Sequence, residues 1–224
     1  MSSRIKVDLV SDVVCPWCVI GYRRLRQAIE AMDVADRIDI EWQPFELNPG
    51  MPEEGEDLRE HIARKYGSSP EEYERTRAGI VQLAAEAGFR IDFFDEMKIV
   101  NTMDAHILLD YARETGRQTE LQLRLFNAYF NERKDISDRA VLQAETERLG
   151  MDGEAAIARL DNVDARERVR SAMRYWRGLG VSAVPTMVFD DKGALTGAQP
   201  VDIYRQVLSR LLTEQTHETL GATT

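Results

Sequence analysis

The sequence has few cysteines and histidines, the side chains that most often bind zinc. Its 224 residues include only two cysteines and three histidines, and the histidines are His61, His106 and His217. A zinc site built on the cysteine pair would need two further ligands, which these histidines alone would have to supply. We therefore expect no bound metal.

Positive charge and long apolar runs are also scarce. Lys and Arg number 29 against 39 Asp and Glu, which gives a formal net charge of -10 and a pI near 4.9. Because nucleic acids and anionic membranes attract basic surfaces, we expect neither as a partner. No apolar stretch reaches the length needed to span a bilayer. The composition, 43% hydrophobic and 30% charged, is typical of an ordered globular protein.

The residues at the amino terminus do not predict an export signal, although a signal already removed by processing stays open. Asp8 and Asp12 interrupt the apolar residues there, whereas such a signal needs about 7 to 15 uninterrupted ones. If Met1 is the true start, the sequence predicts a cytoplasmic protein. A cysteine pair in that compartment is more often catalytic or metal-binding than a structural crosslink.

The two cysteines lie three positions apart, in the segment Cys15-Pro16-Trp17-Cys18. An alternating apolar segment precedes them and an amphipathic helical pattern follows. Thiols at positions i and i+3 of a first helical turn can form a reversible disulfide, and the free N–H groups and dipole of that turn favour a thiolate. The motif therefore indicates thiol-disulfide exchange.

The hydrophobic pattern predicts a strand, a helix and a strand at the start of the chain, and two strands and a helix at its end. Between them, helical patterns separated by caps and glycine stops continue for more than a hundred residues. Removing this block leaves the element order of a thioredoxin fold. The polar tail from Thr213 is expected to fray. The predicted strands cover 5–10, 37–45, 186–189 and 194–196, and the predicted helices cover 17–31, 57–66, 70–87, 97–115, 119–130, 138–149, 154–160, 165–179 and a last helix through 203–211.

Several ordered motifs resemble the DsbA family, and specifically its FrnE-like branch of proteins without an export signal. They are CPWC at 15–18, EWQPFELNP at 41–49, NTMDAH at 101–106, LFNAYF at 125–130, VSAVPTMVF at 181–189 and TGAQP at 196–200. The resemblance implies an α/β, thioredoxin-like fold with a large all-helical insertion, in agreement with the pattern above. We divide the chain into a discontinuous thioredoxin-like domain, 1–54 with 181–224, and an insertion domain, 55–180.

The resemblance also implies the roles of the motif residues. Cys15 is the expected nucleophile and Cys18 the resolving thiol, while Pro16 fixes the backbone and Trp17 offers an apolar surface. No cofactor is expected beyond this redox-active pair. The expected partners are protein thiols and disulfides or glutathione as co-substrate, with the protein a monomer or a homodimer. Because Trp17 cannot supply a positive charge, we expect a weaker oxidant than a family member with histidine at this position.

Other positions are candidates for substrate binding. Val184, Pro185 and Thr186 resemble the cis-proline loop of the family, which faces the dithiol and leaves the backbone of Val184 free to pair with an extended substrate. The resemblance places three polar residues of the insertion, Asn101, Thr102 and His106, near the same cleft. The apolar pattern of their helix is also typical of a core helix. Phe45 and Asn48 either line the cleft, or Phe45 packs in the core and Asn48 turns the chain.

Two other function classes remain open at this point. The 2-hydroxychromene-2-carboxylate isomerases and kappa-class glutathione transferases share the resemblance, but they generally carry serine where Cys15 stands and activate glutathione with its hydroxyl. A redox-sensitive, chaperone-like protein would bind unfolded chains in an apolar cleft without catalysis. Retention of both cysteines favours the oxidoreductase.

Overall fold

The structure of the protein, a computed structural model, describes the backbone of residues 4–221 and the side chains of residues 4–216. The strands are β1 (Ile5–Ser11), β2 (Ile38–Pro44), β3 (Glu56–Asp57), β4 (Lys98–Ile99), β5 (Thr186–Phe189) and β6 (Gly193–Thr196). The helices are α1 (Pro16–Ala31), α2 (Leu58–Tyr66), α3 (Pro70–Glu86), α4 (Met103–Glu114), α5 (Gln118–Phe130), α6 (Arg139–Glu147), α7 (Gly153–Leu160), α8 (Val163–Gly178) and α9 (Val201–Gly221), with a single 3-10 turn at Ala35–Arg37.

The main sheet contains four strands in the order β2-β1-β5-β6. Strand β1 pairs parallel to β2 and antiparallel to β5, so Leu9 lies between Trp42 and Met187. The apolar residues of β1, an inner strand of this sheet, are fully buried. Since β1 and β5 are antiparallel, the end of β1 adjoins the start of β5, and Val10 is paired with Thr186. This pairing brings the two predicted site loops together.

Seven helices, α2 to α8, stand between β2 and β5 in the described chain, as the predicted fold class requires. Local signals set their ends. Ser69 accepts a hydrogen bond from the backbone N–H of Glu72 (3.2 Å), and the Glu72 carboxylate accepts one from the N–H of Ser69 (2.8 Å), which forms the capping box at the start of α3. Gly67 ends α2 with φ at 67°, a conformation that glycine adopts without steric cost. The α/β, thioredoxin-like class with a helical insertion is confirmed.

The middle of the chain departs from its predicted elements at one place. The helix expected over 97–115 begins only at Met103, because β4 pairs antiparallel with β3 to form a two-stranded sheet. The apolar residues Ile99 and Val100 extend the helical periodicity in the sequence, but in the structure they are buried ahead of the helix. A strand of two residues carries no period of its own, so the pattern could not predict it. The domain boundaries given above stay a prediction.

The last helix is also longer than predicted. We expected fraying from Thr213, whereas α9 continues to Gly221. Leu211 and Gln215 are buried on its inner face, and the amide oxygen of Gln215 accepts a hydrogen bond from the Arg37 guanidinium at 3.2 Å. This contact holds the polar end of α9 against the turn before β2. The fraying prediction was therefore wrong within the described residues.

Aromatic packing joins the insertion to the sheet. The Trp42 ring on β2 lies 4.9 Å from the Tyr22 ring of α1 and 6.0 Å from the Phe126 ring of α5, between ring centroids. Phe126 in turn stacks on Phe130 at 6.3 Å. The buried core is thus continuous from α1 across β2 into α5. Across residues 4–221, no helix combines the length and the hydrophobicity needed to cross a membrane.

Candidate active site at the Cys15 and Cys18 dithiol

Cys15 is the residue immediately before the first turn of α1, and Pro16 occupies the first helical position. The backbone N–H of Cys18 donates to the carbonyl oxygen of Cys15 at 3.1 Å, which closes the turn. This first turn contains no acidic residue, and the Cys15 side chain makes no capping hydrogen bond to it. The positive end of the helix dipole therefore lies at Cys15.

The second sulfur is in a different environment. Both cysteines are free thiols, and Cys18 is 0% exposed while Cys15 is 3% exposed. Burial raises the pKa of the Cys18 thiol well above its usual value, and the neighbouring Cys15 raises it further. Ser11 and the backbone N–H of Asp12 offset only part of this effect. Cys18 is therefore held as an uncharged thiol at neutral pH.

This difference predicts the order in which the two thiols react with an alkylating agent. Iodoacetamide at neutral pH is expected to modify Cys15 first and to leave Cys18 unmodified, because the thiolate is the reacting species. In a Cys15→Ser variant, modification of Cys18 is expected only well above the pH range of an ordinary thiol, since burial remains. Peptide mass spectrometry with fragmentation assigns the site. Equal modification of both sulfurs at pH 7 would contradict the account.

The loop before β5 packs against the first cysteine. The peptide bond between Val184 and Pro185 is cis, and the carbonyl oxygen of Val184 lies 3.8 Å from the Cys15 sulfur, within reach of its S–H group. Gly21 allows this packing, because a Cβ there would come within 3.1 Å of Pro185 Cγ. The Thr186 hydroxyl points away and donates to the carbonyl oxygen of Ala183 at 2.8 Å. Of the three predicted loop residues, Val184 and Pro185 adjoin the dithiol most directly.

A buried carboxylate precedes the dithiol. Asp12 is 1% exposed, and its Oδ2 accepts a hydrogen bond from the backbone N–H of Leu47 at 2.8 Å. Its Oδ1 lies 3.4 Å from Nε2 of His106, which makes its hydrogen-bond contact with the carbonyl oxygen of Phe45 at 3.1 Å. These contacts tie the loop before Cys15 to β2 and α4.

A mostly apolar cavity of about 420 Å³ opens at Cys15. Pro16, Trp17 and Asn48 form one wall, and α2, α3 and the segment 93–99 form the other. Trp17 is 37% exposed at this mouth. Two other cavities, of about 560 and 850 Å³, contain neither cysteine among their lining residues. A group bound in the cavity of about 420 Å³ can therefore reach the Cys15 sulfur.

A family comparison agrees with this geometry. A model described as the DSBA-like thioredoxin domain matches residues 6–209. The chain belongs to this family. The Bacillus subtilis (strain 168) protein YwbO, described as uncharacterised, is 26% identical to this DSBA-like protein over 206 residues, or 92% of this chain and 96% of YwbO.

Solved structures agree with the assignment to the DSBA-like family. The crystal structure of the probable DsbA oxidoreductase SCO1869 from Streptomyces coelicolor superposes with a TM-score of 0.89 at 28% identity, covering 94% of this chain and 91% of that one. The cytosolic disulfide reductase DsbM from Pseudomonas aeruginosa, solved with GSH, superposes with a TM-score of 0.62 at 18% identity, covering 93% and 99%. The likeness to DsbM shows the fold alone.

The other predicted site residues of the DSBA-like chain do not all lie at the Cys15 cavity. Asn48 lines the Cys15 cavity, where its side-chain oxygen accepts from Lys65 at 2.7 Å. Asn101 lies at another cavity and holds the turn before α4, donating to the carbonyl oxygen of Met51 and accepting from the N–H of Met103, both at 3.0 Å. Phe45 is buried, with the Arg177 guanidinium 4.9 Å from its ring centroid. Thr102 and His106 are buried, and His106 lines the cavity of about 560 Å³ that contains neither cysteine.

Neither Asp12 nor the cavity wall was predicted from the sequence as part of the site. Asp12 had a visible signal, since it is a charged residue within the apolar segment that leads to Cys15. His61, Lys65 and Arg77 of α2 and α3 had none, because their approach to Cys15 depends on tertiary packing. Among residues 4–216, no group of three or more His, Cys, Asp or Glu side chains is placed to hold a metal ion. The side chain of His217 lies outside the described residues.

Proposed function

We propose that this protein is a thiol-disulfide oxidoreductase that exchanges disulfides with protein or small thiol substrates through Cys15 and Cys18. The observation that carries the proposal is the asymmetry of the pair: Cys15 lies at the helix start and lines the cavity, whereas Cys18 is fully buried, is not among the lining residues and has a raised thiol pKa. This arrangement suits an attacking thiolate and a resolving thiol.

The reaction conserves atoms and electrons. The Cys15 thiolate attacks one sulfur of a substrate disulfide, so that a mixed disulfide forms and the other substrate sulfur leaves as a thiolate. Cys18 then loses its proton and attacks the Cys15 sulfur, which releases the second substrate thiolate. The substrate gains two electrons and the protein gains an intramolecular disulfide. The reverse sequence oxidises a dithiol substrate.

The cis-proline loop supports binding of an extended substrate. The carbonyl oxygen of Val184 adjoins the Cys15 sulfur, and Val184 lies in the loop just before β5, with Pro185 between them. An extended peptide could pair with this backbone and present its disulfide to Cys15 with little dependence on its side chains.

Glutathione is the partner we propose for returning the dithiol to its starting state. The oxidised protein would react with two glutathione molecules in sequence, through a mixed disulfide at Cys15, and release oxidised glutathione. The structure of DsbM with GSH supports this choice by analogy of fold. No metal or organic cofactor takes part in these steps.

Four assays distinguish this function from its rivals. The proposed oxidoreductase reduces insulin disulfides and refolds a scrambled disulfide protein, and a double Cys15→Ser, Cys18→Ser variant does neither. A glutathione-dependent isomerase or transferase would instead bind glutathione tightly in a Cys18→Ser variant and leave both disulfide substrates unchanged. A chaperone-like protein would suppress aggregation equally well in the double variant. Either of the last two results, without disulfide exchange, would refute the proposal.

A further inference from the structure

The cavity at Cys15 has an unusual charge for this protein. Its described lining residues include no Asp or Glu, although the whole chain carries a net charge of -10. The lining side chains that can carry a positive charge are His61, Lys65 and Arg77. Because the lining can carry positive charge and carries no negative charge, the cavity favours a neutral or anionic ligand over a cationic one.

Of these three side chains, Lys65 is the one with no ion pair to a carboxylate among the described residues. Nδ1 of His61 lies 2.7 Å from the Glu56 carboxylate, and Arg77 lies 3.6 Å from that of Glu74. Among the described residues, Nζ of Lys65 donates to two neutral groups, the carbonyl oxygen of Leu47 at 3.1 Å and the Asn48 side chain at 2.7 Å. An anionic group near Nζ would therefore gain attraction without displacing an ion pair.

The rest of the cavity suits an apolar body of small-molecule size. Its volume of about 420 Å³ lies within the range of about 300 to 1,000 Å³ that is typical of small-ligand sites. Large apolar side chains cover much of its wall, including Ile62, Ile80, Phe93 and Met97. Cys15 is among the lining residues of this cavity and is only 3% exposed, so a compact ligand reaches it more readily than a rigid protein surface.

We propose that the preferred substrates of Cys15 are low-molecular-weight disulfides that carry an apolar, preferably aromatic, body and an anionic group. This inference rests on the proposed function and narrows its substrate class. The apolar body occupies the cavity and the anion lies beside Lys65. Cys15 attacks the sulfur next to the bound body, and the other half leaves as a thiolate. Attack by Cys18 then releases the bound half as a second thiolate, and the substrate is reduced by the two electrons that the dithiol gives up.

The test uses the full-length reduced protein in single turnover with three disulfides. They are 5,5′-dithiobis(2-nitrobenzoate), which is aromatic and anionic, 4,4′-dithiodipyridine, which is aromatic and uncharged, and bis(2-hydroxyethyl) disulfide, which is neither. Each rate is divided by the rate of the same disulfide with free glutathione, which removes its intrinsic reactivity. We expect the normalised rate for the first to exceed that for the third by at least about tenfold, or roughly 1.4 kcal/mol in activation free energy.

Two variants test the assigned contacts. Lys65→Met keeps the aliphatic stem and removes the charge, so the rate ratio of the nitrobenzoate to the pyridine disulfide should fall about threefold to fivefold. Lys192→Met, in the turn between β5 and β6, makes the same change in net charge and should leave that ratio as it is. Thr76→Trp, at an exposed position of α3 on the cavity mouth, should lower the rates of both aromatic disulfides relative to the aliphatic one.

The outcomes separate this inference from the proposed function. Similar normalised rates for all three disulfides and for insulin, with ratios that neither Lys65→Met nor Thr76→Trp changes, would overturn the substrate class and leave the oxidoreductase intact. Failure of the wild-type protein to exceed free glutathione with any disulfide would overturn the proposed function itself.

Discussion

A Cys15→Ser substitution is expected to lower the rate of disulfide exchange by roughly a thousandfold or more, because it removes the attacking sulfur. A serine hydroxyl is a far weaker nucleophile towards sulfur, and the structure places no general base in a hydrogen bond with the Cys15 side chain among the described residues. The measurement is single-turnover reduction of a small disulfide. A residual rate within tenfold of wild type would show that Cys15 is not the nucleophile.

Cys18→Ser is the matched control for that substitution. It makes the same chemical change three positions along, but it leaves the helix-start sulfur and its cavity in place. The first attack should therefore proceed, whereas resolution should fail, and the protein should accumulate as a mixed disulfide at Cys15. Mass spectrometry of the acid-quenched reaction detects this adduct. An adduct on Cys18 in the Cys15→Ser protein, formed equally fast, would reverse the assigned roles.

Phe126→Ala is expected to destabilise the protein by about 3 to 5 kcal/mol, the usual cost of removing a fully buried phenylalanine. Phe126 is 0% exposed and packs between Trp42 of β2 and Phe130 of α5, so its loss leaves a cavity where the insertion meets the sheet. Urea unfolding followed by circular dichroism and by tryptophan fluorescence gives the change in free energy of unfolding. Both signals should shift together, because the core is continuous.

Phe94→Ala provides the comparison for Phe126→Ala. Phe94 is only partly buried and has the Arg133 guanidinium 4.9 Å from its ring centroid, so its truncation should cost about 1 kcal/mol. If Phe126→Ala cost no more than Phe94→Ala, or shifted only one of the two signals, the insertion and the sheet would not share a core.

The sequence is sufficient to predict those parts of the fold that have local signals. The alternation of Ile5, Val7 and Leu9 predicts β1, and the serine, proline and glutamate from Ser69 onward predict the start of α3. Both elements are present as expected. Pairing between distant short segments has no such signal. For that reason β3 and β4 were not predicted, and the buried contact of Gln215 with Arg37 that extends α9 was not predicted either.

The candidate site was predictable to the same extent and for the same reason. The cysteine motif and the Val184-Pro185 loop are local patterns, and the antiparallel pairing of β1 with β5 brings them together. Periodicity shows that His106 is on a core-facing surface of its helix, but it does not show that Asp12 and Phe45 are its neighbours. The cavity depends on how α2 and α3 pack against the start of α1, which no local pattern specifies.

Equilibration of the protein with glutathione buffers, followed by acid quenching and mass spectrometry, tests the central claim most directly. The account predicts a single two-electron transition from the dithiol to an intramolecular disulfide between Cys15 and Cys18. Because the Trp17 side chain is uncharged, the midpoint should be more reducing than about -120 mV, the value of a strongly oxidising family member. A protein that formed only glutathione adducts, with no bond between Cys15 and Cys18 at any buffer ratio, would contradict the account.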